Sequence, residues 1–191
     1  MNQSISLDKP QSVPDDSELV LAAQQNPSAF QPIYQKWLKP IYRYFYFRVE
    51  NEKDAEDLTS QVFLKVYEDL PRYRSKGSFS AWIFTIAHAR MVDFFRKATR
   101  EQKLEKADYT ANSSDLLTMV VHSNEIDELL ALLHKMTEEE QELIRLRFFG
   151  ELSYREIGEI LNRKEDAVRK SVTRLLDQMQ VEMERDNGKP F

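Results

Sequence analysis

The sequence contains no cysteine. This absence excludes disulfide bridges, thiolate metal sites and a cysteine nucleophile at once. Histidine is also scarce, and His88, His122 and His134 lack the spacing of metal ligands. No acid, base and nucleophile set converges in any motif. We therefore expect no metal, no cofactor and no enzymatic activity.

Long apolar runs are absent too. A membrane helix needs about 18 consecutive apolar residues, and no such stretch occurs. The N-terminal residues, MNQSISLDKPQSVPDD, do not form a signal segment, because they lack a basic start followed by an apolar run. We expect a soluble, cytoplasmic protein without membrane insertion.

Glycine is rare, with 4 residues in 191, and no run of alternating β-branched residues suggests a strand. Apolar residues make up 41% of the chain, which is enough to bury a core. The pattern predicts an all-α protein of two small helical domains joined by a linker. The expected parts are a disordered leader (1–14), a helical bundle (15–100), a linker (101–124), a helix-turn-helix domain (125–184) and a tail (185–191).

The net charge of −5 argues against indiscriminate binding of nucleic acid, but the two signs of charge are sorted along the chain. Residues 50–69 hold seven acidic side chains against Lys53 and Lys65. Residues 163–174 hold five Arg and Lys against Glu165 and Asp166. An acidic surface in the first half and a basic one in the second half are therefore expected.

The basic segment follows a short helix and a turn. Ser153 and Glu156 have the spacing of a capping box, as Thr137 and Glu140 do one helix earlier. In the last helix an apolar stripe recurs at helical spacing on one side, namely Val168, Val172, Leu175, Leu176 and Met179. The opposite side and flanks carry Arg163, Lys164, Asp166, Arg169, Lys170, Thr173 and Arg174. This layout is typical of a helix-turn-helix whose second helix enters the major groove, although a solvated charged face has the same pattern.

Two further features lie in the first half. A stripe along the helix from about Glu52 to Leu70 would suit a basic helical partner, because its charges attract and its leucine adds apolar contact. The stripe contains Asp54, Asp57, Gln61, Leu64 and Glu68. The segment RYRSKGSF places Arg72, Arg74 and Lys76 around Tyr73 and ahead of Phe79, a composition that can hold an unstacked base. A solvated helix face and an ordinary surface loop remain the alternatives.

Two blocks of the sequence, DAEDLTSQVFLKVYEDLPRYRSKGSFSAWIFTIAHARMVDFFRK and LSYREIGEILNRKEDAVRKSVTRLL, resemble the extracytoplasmic-function (ECF) subfamily of bacterial RNA polymerase sigma factors. The resemblance implies a sigma2-like helical bundle followed by a sigma4-like helix-turn-helix domain. In that family, sigma2 binds the clamp helices of the polymerase β′ subunit and captures the melted minus-10 strand. Sigma4 contacts the β flap and reads the minus-35 element as a duplex. The implied partners are core RNA polymerase, promoter DNA and an anti-sigma factor.

The resemblance also implies roles for particular residues. Asp54, Glu56, Asp57 and Gln61 would contact β′, with Leu64 of the stripe beside them. The RYRSKGSF loop would hold a flipped minus-10 base with Arg72, Tyr73, Arg74, Lys76 and Phe79. The adjoining DNA would lie along Trp82, Thr85, Ala89 and Arg96. The minus-35 helix would use Arg163, Lys164, Arg169, Lys170, Thr173 and Arg174.

The chain departs from the family at two of these places. The family's usual Ile-Ala-Arg-Asn run is Ile86-Ala87-His88-Ala89 here, so the amide that would bond a base or the strand is missing at Ala89. A hydroxyl common at the start of the minus-35 helix is replaced by Ala167. Two other functions stay open: a sigma-like decoy or adaptor that titrates an anti-sigma factor, and a helix-turn-helix regulator with a ligand-binding first half.

Overall fold

Every regular element is helical in residues 16–74, 77–102 and 133–187, the parts of the chain that the computed structural model describes. The predicted all-α class is therefore confirmed. The first half contains α1 (Asp16–Gln25), α2 (Gln31–Val49), α3 (Glu52–Asp69) and α4 (Phe79–Gln102), with single 3-10 turns at Pro27–Phe30 and Leu70–Arg72. The second half contains α5 (Glu138–Ile144), a π-helical turn (Arg145–Phe149), α6 (Tyr154–Leu161) and α7 (Glu165–Asn187).

The helix starts are fixed by side chains that accept hydrogen bonds from free backbone N–H groups. Asn51 caps α3 by accepting from the Asp54 N–H at 3.0 Å. Both predicted capping boxes are present, Thr137 with Glu140 at α5 and Ser153 with Glu156 at α6. The short helices of the second half therefore begin where their sequence indicates.

In the first half, α2, α3 and α4 pack around a common apolar core. The apolar spacing of α3 predicts an inward face of Ala55, Leu58, Val62 and Val66, and all four are buried. The spacing of α4 predicts a buried side of Phe79, Ile83, Ile86, Ala87 and Phe94, but Ile86 and Phe94 are only half-buried. Phe84 and Met91 are buried on a further side of α4.

In the second half, α6, a tight turn and α7 form the predicted helix-turn-helix. Helix α6 ends at Asn162, whose left-handed backbone (φ 51°) reverses the chain. Gly158 allows this close turn, since a Cβ atom on it would lie 2.5 Å from the carbonyl oxygen of Arg163. Val168, Val172 and Leu175 are buried as expected, but Leu176 is 40% exposed because it lies at the edge of the buried side.

The two halves contact each other through α2 and α4 on one side and the π-helical turn and α6 on the other. The rings of Phe47 and Phe149 stack in parallel with their centroids 3.8 Å apart. Buried residues of both halves therefore form one contiguous cluster rather than two separate small cores. Helix α4 extends to Gln102, two residues into the expected linker, while the leader and the rest of the linker lie outside the described residues.

Within those described ranges, none of the helices combines the length and the apolar character needed to cross a bilayer.

Candidate functional site

The acidic stripe predicted on α3 lies on the outer face of the helix. Asp57, Gln61 and Glu68 are exposed, and Leu64 is 60% exposed in their middle. Asp54 at the start of the stripe is half-buried, and this burial, together with the charge of Asp57, raises the pKa of its carboxyl. The stripe thus combines negative charge with an exposed apolar side chain.

Glu56 lies apart from this stripe, on the side of α3 that faces α2. Burial is the largest cause that raises the pKa of Tyr42 on α2 to about 12, followed by the charges of Glu52 and Tyr46. The charge of Glu56 makes a smaller contribution in the same direction. A role for Glu56 in the same contact as Asp57 stays a prediction, and the geometry places the two carboxylates on different faces.

A groove of about 290 Å³ runs between the stripe and α4. Its α3 wall carries Asp54, Asp57 and Gln61, and its α4 wall carries Arg90, Asp93 and Lys97. The α4 wall was not predicted, because periodicity describes one helix at a time and does not pair the faces of two helices.

The aromatic residues of the RYRSKGSF loop form a cluster with α4. The centroid of the Tyr73 ring lies 4.5 Å from the centroid of the Trp82 ring, and the centroid of the Phe79 ring lies 5.4 Å from the same point. Phe79 is only 5% exposed and also packs near Trp37, so in this conformation it supports the cluster from beneath. Arg72 and Arg74 are exposed beside the cluster, and Lys76 lies outside the described residues.

Helix α1 completes a cleft of about 380 Å³ beside this loop. Tyr73, Gly77 and Phe79 line one side of the cleft, and Val20, Leu21 and Gln24 line the other. The Gln24 side chain donates hydrogen bonds to the carbonyl oxygens of Leu70 (2.9 Å) and Tyr73 (2.8 Å). Gln24 therefore holds the start of the loop, a role that the sequence did not indicate because the partners lie 46 and 49 residues away.

The predicted DNA-facing side of α4 is exposed along its length. Thr85, Ala89 and Arg96 are exposed and Trp82 is half-buried above them. Arg96 pairs with Asp93 at 3.0 Å on the same helix. Helical spacing also predicts His88 on this face, but its side chain points toward the second half, where its Nδ1 atom lies 2.8 Å from a carboxylate oxygen of Glu142.

The basic face of α7 is exposed as well, at Arg169, Lys170, Thr173 and Arg174, and so is Lys164 in the turn before the helix. Arg163 differs, since it is half-buried and donates a hydrogen bond to the Ser171 hydroxyl at 2.9 Å. It therefore braces the turn against the helix in this conformation.

Neighbouring groups orient two of the exposed cations. Arg169 pairs with Glu165 at 2.6 Å, and its guanidinium lies 5.7 Å from the centre of the Tyr154 ring. Arg174 lies 4.0 Å from a carboxylate oxygen of Glu140 in α5. Such exposed pairs hold a side chain loosely, so both cations can exchange their partner for a phosphate or a base edge.

None of the described residues forms a group of three or more His, Asp and Glu that could hold a metal ion. The candidate site consists of three surfaces. They are the acidic stripe of α3, the segment RYRSKGSF (the aromatic loop) with the exposed face of α4, and the basic face of α7.

Two family models match separate parts of the chain. Residues 33–101 match Sigma-70 region 2, and residues 126–179 match Sigma-70, region 4. The first match contains the acidic stripe, the aromatic loop and most of α4, and the second contains α5, α6 and the basic face of α7.

Several curated proteins are similar in sequence. The ECF RNA polymerase sigma factor BldN of Streptomyces coelicolor is 30% identical over 160 residues, which cover 80% of this chain and 60% of BldN. The RNA polymerase sigma factor YlaC of Bacillus subtilis is 28% identical over 141 residues, covering 70% of this chain and 79% of YlaC.

Solved structures share the fold. CnrH, in complex with the cytosolic domain of CnrY, has a TM-score of 0.65 at 20% identity and covers 90% of this chain and 98% of its own. RpoE of Bartonella quintana, in complex with the anti-sigma factor NepR, has a TM-score of 0.66 at 17% identity. The match covers 81% of this chain and 96% of RpoE.

Proposed function

Because the chain belongs to the extracytoplasmic-function family of RNA polymerase sigma factors, we propose that it binds core RNA polymerase and directs it to promoters. Residues 15–100 would form the part that binds polymerase and captures the minus-10 strand. Residues 125–184 would form the part that reads the minus-35 element, and residues 101–124 would link the two.

The observation that carries this proposal is the separation of two charged surfaces on one chain. The acidic stripe of α3 offers charge for attraction and Leu64 for apolar contact, which suits a basic helical surface such as the β′ clamp helices. The basic face of α7 offers several cations on a helix entered through a tight turn, which suits the major groove of duplex DNA.

The aromatic loop would act on the melted strand. The exposed cations Arg72 and Arg74 can hold the backbone, and the cleft beside Tyr73 can receive a base that has left the stack. In this mechanism the protein traps an already unpaired base, so strand opening is captured rather than forced.

A second candidate function is that of a decoy that titrates an anti-sigma factor without initiating transcription. Ala89 favours it, because the exposed face of α4 lacks an amide where the family usually has one. CnrH and B. quintana RpoE were each solved in complex with a protein partner, so we also propose an anti-sigma partner for this chain. The intact basic face and aromatic loop support the initiating function over the decoy.

Run-off transcription with bacterial core polymerase separates the two candidates. The template would be a library randomised at the minus-10 and minus-35 positions, and the transcripts would be sequenced after selection. An initiating factor enriches two motifs at a fixed spacing. A decoy binds its partner but leaves the library unselected.

The protein with Arg72 and Arg74 both replaced by Ala is the informative variant in this assay, and Lys39→Ala is its control. Lys39 is an exposed cation of α2 that belongs to none of the candidate surfaces. Loss of the minus-10 motif in the loop variant alone supports the proposed strand contact. An unchanged motif would remove the loop cations from the mechanism.

A further inference from the structure

Two arginines contact one aromatic ring at the start of α6. Tyr154, the first residue of that helix, is half-buried and packs against the buried cluster. The guanidinium of Arg147, in the π-helical turn, lies over the Tyr154 ring at 4.8 Å from its centre. The guanidinium of Arg169, on the basic face of α7, lies over the same ring at 5.7 Å from its centre. Side chains of three consecutive elements therefore meet at Tyr154.

Arg147 holds this ring in place. The Arg147 side chain is half-buried and donates a hydrogen bond of 2.7 Å to the carbonyl oxygen of Leu152, two residues before Tyr154. Because its acceptor belongs to the backbone, the guanidinium of Arg147 has a fixed position beside the ring. Arg169, by contrast, is exposed. The ring and Arg147 thus form a fixed support against which the mobile end of Arg169 rests.

Arg169 has two partners that engage different parts of its guanidinium. Glu165 accepts a hydrogen bond from its Nη2 atom at 2.6 Å, and this bond occupies a donor. An aromatic ring engages the face of a guanidinium and leaves the N–H groups at its edge free. Arginine reads guanine through two of those N–H groups, which donate to O6 and N7 of the base. The contact with Glu165 must therefore break on base binding, whereas the contact with Tyr154 can persist.

The position of Arg169 along α7 suits contact with a base. Helix α7 begins at Glu165, so Arg169 is its fifth residue, and the N-terminal residues of a recognition helix contact base edges. A bidentate pair requires a defined orientation of the guanidinium. A side chain that is already held in that orientation loses less entropy on binding. A ring that restrains Arg169 without using its donors therefore favours the bidentate contact.

We infer that Tyr154 is a positioning residue for DNA readout, whose ring, supported by Arg147, orients Arg169 toward a guanine of the minus-35 element. This inference rests on the proposed function for the identity of the DNA. Tyr154 acts through Arg169 and through its ring. A direct role of the Tyr154 hydroxyl as a donor to a phosphate is the outcome that the experiments must separate from it.

The first test measures base preference with the polymerase complex and the randomised promoter library. Arg169→Ala identifies the base pair that Arg169 reads, as the position where the preference for guanine disappears. At that position we expect Tyr154→Leu to lower the preference about two- to fivefold, the range of a cation–π contact at an exposed site. Preference at the other positions should be unchanged, because other side chains contact those bases.

Tyr154→Phe is the matched variant, because it keeps the ring and removes only the hydroxyl. We expect it to select the same bases as the parent. Tyr34→Leu controls for the loss of an exposed tyrosine, since its ring packs on Phe63 in the first half. If Tyr154→Phe loses the guanine preference as fully as Tyr154→Leu does, the hydroxyl is the active group and the inference is wrong.

A combined variant distinguishes positioning from a general loss of structure. When Arg169 is already Ala, Tyr154→Leu should change base preference no further, because the side chain that it orients is absent. A further loss of preference in this background, at positions that Arg169 does not read, would show that the ring supports the whole helix. That result would overturn the inference.

The second partner of Arg169 gives a prediction of opposite sign. Glu165→Gln removes the carboxylate that competes for the guanidinium donors, so it should raise promoter affinity and keep the guanine preference. A guanine preference that falls in Glu165→Gln, and not in Tyr154→Leu, would assign the orienting role to Glu165 instead.

NMR spectroscopy examines the contact in the free protein, without DNA or polymerase. An aromatic ring shifts the signals of protons that lie over its face, so the Nε–Hε signal of Arg169 should carry a ring-current shift. Arg169→Lys removes this signal and thereby assigns it. The shift should remain in Tyr154→Phe and vanish in Tyr154→Leu. An unshifted Arg169 signal in the parent would overturn the inference, whatever the transcription assay gives.

The outcomes also separate this inference from the proposed function. If the parent selects no promoter motif, the proposed function fails and the reading role of Arg169 fails with it, even where the ring-current shift is present. If the parent selects motifs and Tyr154→Leu keeps the full guanine preference, the proposed function stands and only the positioning role of Tyr154 is wrong.

Discussion

At the scale of single residues, Glu142 shows how one buried carboxylate can serve both halves of the chain. Burial alone would raise the pKa of this carboxyl. The hydrogen bond with His88, the charge of Arg145 and the hydrogen bond from Tyr44 outweigh burial and hold the pKa below its ordinary value. Burial raises the pKa of the Tyr44 hydroxyl well above its ordinary value, and the negative charge of Glu142 raises it further.

This lowered pKa predicts a loss of stability in acid. A carboxyl whose pKa is depressed in the folded protein contributes stability above its ordinary value of 4.5, and that contribution is lost as pH falls through the folded-state pKa. Glu142→Gln should destabilise the protein at neutral pH by about 3 kcal/mol or more, since it breaks a buried pair. The difference from the parent should shrink below pH 4.5 in urea titrations. A difference that stays constant with pH would contradict this account.

Gln24 gives a second prediction at the residue scale. Gln24→Ala removes two hydrogen bonds to the loop backbone, each contributing about 1 kcal/mol, so the loop should lose its fixed position. We expect weaker permanganate reactivity of minus-10 thymines in the complex with polymerase, while polymerase affinity is unchanged. Gln25→Ala, the exposed neighbour, is the matched control. Equal reactivity in both variants would show that the loop needs no support from α1.

At the scale of elements, the turn between α6 and α7 depends on backbone geometry. A Cβ atom at Gly158 would meet the Arg163 carbonyl at 2.5 Å, and backbone cannot move aside as a flexible side chain can. Gly158→Ala should therefore cost at least about 2 kcal/mol of unfolding free energy and misplace the basic face. Asn162→Gly in the same turn should be tolerated, because φ is already positive there. Thermal unfolding measures the stability of both variants. Equal stability of Gly158→Ala and Asn162→Gly would contradict this account of the turn.

The basic face of α7 gives a further prediction. Lys170→Ala should reduce affinity for specific promoters by about 1–3 kcal/mol and leave non-specific DNA binding nearly unchanged, if Lys170 contacts a base edge. Competition footprinting with the polymerase complex measures both affinities, and Lys39→Ala on α2 serves as control. A uniform loss on every template would assign Lys170 to phosphate instead.

The elements also show which features the sequence could predict. Helix starts, the α3 stripe and the α7 apolar side follow from local spacing, so these were predicted closely. The second buried side of α4, which carries Phe84 and Met91, was not predicted, because it is set by packing on other elements. Phe84 packs against Trp37 and Tyr44 of α2 and lies beside Gly150 of the second half. For the same reason His88 was assigned to an exposed face, although its partner Glu142 lies 54 residues further along the chain.

At the scale of the whole molecule, the proposed function accounts for an acidic chain that carries one basic helix face. A net charge of −5 would keep the free chain from binding DNA indiscriminately, and polymerase would supply most of the remaining phosphate contacts.

The most direct test of this account is the affinity of the protein for core polymerase at low and physiological ionic strength. We expect tight binding by the parent, at least tenfold weaker binding by Asp57→Lys, and parent-like binding by Glu18→Lys, which makes the same charge change on exposed α1. Tenfold corresponds to about 1.4 kcal/mol. No affinity even at low ionic strength, or the same affinity for both variants, would contradict the account.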